Sequence, residues 1–173
     1  FSEISLINRI NSDLSNNLGN LIQRVIKFIN KNFVNTVPFS ILEDSDKNNI
    51  INKGYNLILI IKEKMIDFQI SKCLEEIFLY VDELNKFMDE SQPWNSFKNN
   101  PKKAGRDLSI LIECFRIVGI ILQPFIPIAS KKILDMLNIK ENLRNFDNLS
   151  FEYAIISDHI LNEPKALFPR YEK

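Results

Sequence analysis

Three side chains in this sequence combine types and spacings suited to recognising a flat, hydrogen-bonding partner. Asn20 and Arg24 stand four residues apart in a helical pattern, so they project side by side. Together they present an amide that donates and accepts and a planar guanidinium fork with five donors. Such a pair matches the mixed edge of a nucleobase, although two polar residues on a helix surface also suit plain solvation. Trp94, the only tryptophan, follows Pro93 where a helical pattern ends, a place equally compatible with a core anchor and with a stacking platform. Lys98, Lys102, Lys103 and Arg106 follow within a dozen residues, and aromatic faces beside local cations are what unpaired bases need.

The element that must carry the first pair spans residues 11–33. Leu14, Leu18, Leu21, Ile22, Val25 and Ile29 fall on one side of a helix, and Asp13, Asn17, Asn20, Arg24, Lys27 and Lys31 form a wholly polar line on the other. Asn11, Ser12 and Asp13 are the expected N-caps. Gly19 is out of place in a helix, where it costs roughly 1 kcal/mol relative to alanine, and predicts the close approach of another backbone or a ligand.

The chain of 173 residues suffices for one full core and is short for two. Lysine plus arginine (22) balances aspartate plus glutamate (22), so the protein is no general polyanion binder and any nucleic-acid contact must be local. Four glycines, a 45 % apolar composition and widely spaced turn signals point to an all-α fold. The pattern predicts a bundle of about five helices, over 11–33, 42–64 interrupted by Gly54, 67–89 capped by Asp67, 107–123 and 128–137, with a short helix over 1–10 feeding the first. A lysine-rich connection is expected before 107. Residues 1–140 form the expected helical domain, and 141–173 an irregular tail packing back on the bundle or on a further domain. Cys73 and Cys114 lie on apolar stripes and read as reduced core residues. One histidine, His159, and no Cys-x-x-Cys spacing give no case for a metal. The longest apolar run, 117–129, is broken by Pro124 and Pro127 and is too short for a bilayer, so a soluble cytoplasmic protein is expected. Starting at Phe1 within a helical pattern, the chain is expected to be a piece of a longer one.

Four stretches, NSDLSNNLGNLIQRVIKFINKNF (11–33), NKFMDESQPW (85–94), LQPFIPIASKKILDML (122–137) and LFPRYE (167–172), occur in the order seen in methionyl-tRNA synthetases, and together the sequence resembles the C-terminal part of that family. The resemblance implies a class I anticodon-binding helix bundle. It implies that Asn20 and Arg24 hydrogen-bond the first base of the CAU anticodon of tRNA(Met), with Trp94 as a stacking surface. HIGH and KMSKS signatures are missing from the sequence, and Ala129-Ser130-Lys131-Lys132 is no substitute. No catalytic residue is therefore expected here. ATP, methionine and magnesium belong by resemblance to an N-terminal catalytic domain, the second expected partner, toward which the LFPRYE segment returns. The family's zinc-binding knuckle is missing too. Related bundles occur in the valyl, leucyl, isoleucyl and cysteinyl enzymes, and the Asn-Leu-x-x-Arg element with Pro-Trp favours the methionyl one. A non-catalytic helical interaction domain is the reading from another class.

Overall fold

A computed structural model describes residues 10–39, 41 and 49–168, with side chains from 14 onward. The expected short helix over 1–10 lies almost wholly outside the described residues. The first described element winds as a π-helix over Ile10–Gly19 and continues as α1 over Asn20–Asn32. Gly19 keeps right-handed helical angles (φ −64°, ψ −45°), so the rod is unbroken. It already starts at Ile10, so Asn11, Ser12 and Asp13 lie inside the helix and not at a cap, contrary to the sequence reading.

Next come α2 (Asn49–Ile66), α3 (Ile70–Ser91), α4 (Pro93–Asn99), α5 (Pro101–Ile121) and α6 (Pro127–Met136). Gly54 does not interrupt α2. A Cβ there would stand 2.4 Å from the Tyr80 hydroxyl, which donates to the Ile50 carbonyl at 2.9 Å, so the missing side chain is what lets α3 pack close. Asp67 does not cap α3; Gln69 precedes the helix and makes no side-chain cap.

The lysine-rich connection is helical. Gln92 adopts a left-handed conformation (φ 42°, ψ 59°) that ends α3, and Pro93 opens α4 directly behind it. Asn100 then caps α5, its side-chain oxygen accepting from the Lys103 N–H at 3.0 Å, with Pro101 at the first turn. Proline has no N–H to lose at a first turn and its fixed φ suits one, so each proline starts a helix as readily as it stops the one before.

α5 is the axis of the bundle. Every residue from Leu108 to Ile121 is buried, which exceeds the single inward stripe the periodicity suggested, because α1, α2, α3, α4 and α6 all pack around it. Two of those buried residues are charged. The Glu113 carboxylate accepts from Arg116 Nε at 3.0 Å and Nη2 at 2.7 Å, from the Tyr55 hydroxyl at 2.7 Å, and from the Ile155 N–H at 3.0 Å. Arg116 Nη1 donates to the Asn148 carbonyl at 2.9 Å. Burial, and then the Glu113 charge beside it, holds the Tyr55 phenol protonated far above its ordinary range. Residues beyond α6 run through three short 3₁₀ turns and insert Leu149, Ile155, Leu161 and Leu167 into the same core. Thr36 and Ile160 form an isolated antiparallel bridge, and His159 Nε2 lies 2.7 Å from the Leu137 carbonyl.

Cys73 and Cys114 are buried free thiols, and burial pushes Cys114 up to about 12. Among the described residues no helix is long and apolar enough to cross a membrane.

Removing one partner of a buried ion pair strands the other charge, at about 3–5 kcal/mol. Glu113→Ala is accordingly expected to destabilise the chain by that amount in urea unfolding. It should also release the Ile155 amide to faster hydrogen exchange. An unchanged midpoint would contradict the structural role given to the pair.

Candidate nucleic-acid interface

Asn20 is the first residue of α1 and Arg24 lies one turn on; both are exposed, on the side opposite the buried Leu21, Ile22, Val25, Ile26 and Ile29. Trp94 sits in the first turn of α4, half-buried, with its ring packed against the hydrophobic core. Its place is set by the left-handed Gln92 and the buried Pro93, which swing the chain from the end of α3 toward α1. The Arg24 guanidinium carbon lies 4.9 Å from the centroid of the Trp94 ring. Arg24, one turn from Asn20, is thus brought onto the Trp94 ring, which is anchored in the core and still meets a surface cation.

A cation over an indole face is attracted by the ring quadrupole, worth about 0.5–1 kcal/mol at exposed sites. That contact holds the guanidinium near the ring without using its N–H groups. Among the described residues neither Arg24 nor Asn20 makes a side-chain hydrogen bond, so the donors and the acceptor of the pair face outward.

Asn17, read from sequence as one more member of the polar line, is half-buried and has partners on α3. Its Nδ2 donates to Asp82 Oδ1 at 2.7 Å, and Asn85 Nδ2 donates back to its Oδ1. This polar clamp fixes the rod to α3 one turn before Asn20. The only signal for it in the sequence was that Asp82 and Asn85 are spaced by three on α3, which names no partner across 65 residues.

Gly19 is explained by a neighbour in the fold. A Cβ there would stand 3.2 Å from the Leu14 carbonyl oxygen, 3.3 Å from the Phe168 ring and 3.9 Å from the Leu167 Cβ, so the preceding turn of the rod and the end of the described chain both approach closely. Below Arg24, Phe28 and Phe33 both meet the edge of Phe97, with ring centroids 5.6 Å and 5.3 Å apart, which seats α4 along α1. Among the described residues no cluster of His, Cys, Asp or Glu could hold a metal.

A family model described as "Anticodon binding domain of methionyl tRNA ligase" matches residues 37–173. The methionine–tRNA ligases of Rickettsia felis and Rickettsia bellii are each 37 % identical to the chain, covering 99 % and 100 % of it and 34 % and 35 % of their own lengths. The chain thus spans about a third of the curated relatives it matches. The apo methionyl-tRNA synthetase of Mycobacterium tuberculosis superposes with a TM-score of 0.90 at 27 % identity, over 100 % of this chain and 35 % of that one. The same enzyme bound to methionyl-adenylate gives 0.88 at 26 % identity, over 98 % and 34 %. With an all-α bundle, a matching family model over most of its length and relatives of this identity along all of it, the chain belongs to the anticodon-binding domain family of methionyl-tRNA ligases.

Proposed function

We propose that this chain reads the CAU anticodon of tRNA(Met) on behalf of a full-length methionine–tRNA ligase, with Asn20 and Arg24 reading the edge of the first base and Trp94 stacking on it. The observation that carries the reading is the juxtaposition of Arg24 with the Trp94 ring, 4.9 Å from its centroid, beside an Asn20 whose amide faces out. A platform plus a donor fork describes a site for one unpaired base. The activity belongs to the whole ligase, in which a catalytic domain joins methionine to the tRNA at the expense of ATP. By resemblance, ATP, methionine and magnesium are assigned to the catalytic domain, the second partner of this one, in a cytoplasmic enzyme. The methionyl-adenylate held by the M. tuberculosis relative supports that assignment.

The chain by itself is expected to support no methionine-dependent exchange between ATP and pyrophosphate. Exchange above background in a preparation free of host ligase would overturn the division of labour.

In the full-length ligase, Arg24→Ala should lose about 1–3 kcal/mol of discrimination between CAU and an anticodon altered at its first base, measured as the ratio of kcat/KM for the two tRNAs. A base-edge contact carries sequence information whereas a phosphate contact does not, so the loss should fall on the cognate tRNA. Asn20→Ala should act in the same direction, and the double variant should cost less than the sum because one base is shared. Trp94→Ala should weaken anticodon stem-loop binding by about 1–3 kcal/mol. Equal losses on both tRNAs for Arg24→Ala would mean that it serves as an electrostatic contact only.

A further inference from the structure

The turn between α2 and α3 leaves large apolar side chains in water. Met65, Ile66, Phe68 and Ile70 are all exposed, Ile66 to 77 % and Phe68 to 85 %, and Leu59 lies two turns before Ile66 on the same exposed face of α2. The backbone sharpens the oddity. The Phe68 N–H donates to the Met65 carbonyl at 3.1 Å and the Gln69 N–H to the Lys64 carbonyl at 3.0 Å, the paired bonds that close a helix through one left-handed residue. That residue is Phe68 itself, at φ 55°, in a place that ordinarily takes glycine because a Cβ crowds the carbonyl there. A phenyl ring at this position strains the backbone and stays wet, and neither cost is offset inside this chain.

The turn stands at the end of the bundle where the described chain comes in and goes out. Asn17 meets Asp82 and Asn85, and Arg24, further along the same rod, meets Trp94, so α1 and α3 descend side by side in one direction. Ile70 opens α3 about 18 Å before Asp82 along its axis, toward the end from which the rod begins. The last described stretch climbs the rod toward that same end, with Asn162 at Asn30, Lys165 at Gln23 and Phe168 at Gly19. The curated relatives are about three times as long as this chain, so a ligase of their length holds a further body of about twice its size, with a radius of gyration of about 20 Å. Joined through either end of the described chain, that body emerges within reach of the turn. The rim of the patch fits a protein surface: residues 62–76 carry three lysines and four carboxylates, mixed signs that give phosphates of RNA or lipid no net attraction.

We propose that the turn between α2 and α3 is the face on which the catalytic body of the full-length ligase docks, with Ile66, Phe68 and Ile70 buried against it. This rests on the reading of the chain as one domain of a methionine–tRNA ligase, and extends it from the base site to what fixes that site relative to the chemistry. Domains joined by chain alone move against each other unless an apolar interface holds them. α3 runs unbroken over 22 residues, about 33 Å, from the turn to Gln92 beside Trp94. A contact that holds one end of this stiff helix therefore sets the direction in which the proposed base site stands from the catalytic body.

The test uses the full-length ligase in two measurements. In hydroxyl-radical footprinting, Phe68 is expected to be oxidised roughly tenfold more slowly than in the urea-unfolded ligase, a protection that an open, strongly exposed ring cannot give. Oxidation of Phe68 near the unfolded rate overturns the docking. Protection that weakens on dilution, with twice the monomer mass in light scattering, gives the face to a second copy and overturns it as well. The second measurement uses Phe68→Gly, which removes the ring and suits the left-handed turn, so the fold is kept. Aminoacylation kcat/KM is expected to fall roughly tenfold, while methionine-dependent ATP–pyrophosphate exchange and anticodon stem-loop affinity stay within twofold of the parent. Unchanged aminoacylation, or exchange that falls in step with it, overturns the orienting role. The footprint involves no tRNA, so a protected Phe68 in a ligase whose Arg24→Ala variant keeps first-base discrimination supports the docking and places the fault in the base-reading assignment.

Discussion

Two charges in the middle of an otherwise apolar helix are the constraint to which the rest of this fold answers. Glu113 and Arg116 are fully buried, and a buried ion is tolerated only when every lone pair and proton that faces it is matched. Their mutual contacts leave capacity on both, and the fold fills it from three directions. Tyr55 comes from α2, while the Asn148 carbonyl and the Ile155 N–H come from the chain beyond α6. Among its described residues the segment after α6 has no strand or long helix of its own to hold it. Its place is dictated by these bonds, by the Phe151 ring edge-on to Tyr55 at 4.9 Å, and by the four apolar side chains that follow the same path into the core.

That path leads to the base site. From Ile155 the chain meets Thr36 and Val37 at the isolated bridge, then runs to Leu167 and Phe168 against Gly19, one residue before Asn20. A buried ion pair on the central helix is thus coupled to the exposed end of α1 by one continuous stretch of chain. The coupling is mechanical, carried by the backbone bonds that join 158–161 to 35–37 and by the packing of the chain end on Gly19.

Sequence periodicity located the long helices because each carries a stripe of apolar residues wide enough to be seen without its partners, as in Leu74, Ile77, Val81, Leu84 and Met88 of α3. The three residues of the proposed site were legible for a related reason, since Asn20 and Arg24 share a helix face and Trp94 follows a proline, both local facts. What escaped was non-local or ambiguous. Asn and Lys between Pro93 and Arg106 have the composition of a loop, and only the geometry of proline at a first turn makes two helices of them. The Asn17 clamp depends on α3 arriving at the right register. The ion pair did leave a mark, because opposite charges three apart in ILIECFRIVGII cannot both reach water from a helix buried all round. Recognising it required knowing that α5 is the axis and not one wall of the bundle.

The core packing of Trp94 and the stacking role proposed for it constrain each other. A platform for a base must not rotate, and a tryptophan on an open surface loses conformational freedom when a base lands on it. Packing the ring into the core removes that loss before binding, so stacking energy of about 1–3 kcal/mol is available with little ordering cost. Arg24 is held in place in the same way, but more weakly. Its contact with the ring, about 0.5–1 kcal/mol, is strong enough to bias the guanidinium toward the site and weak enough to give way to a base that offers a stack and two hydrogen bonds. A base that offers only the stack gains less from displacing it. In the proposed site the cation on the indole would therefore sharpen a choice that stacking alone, open to every base, cannot make.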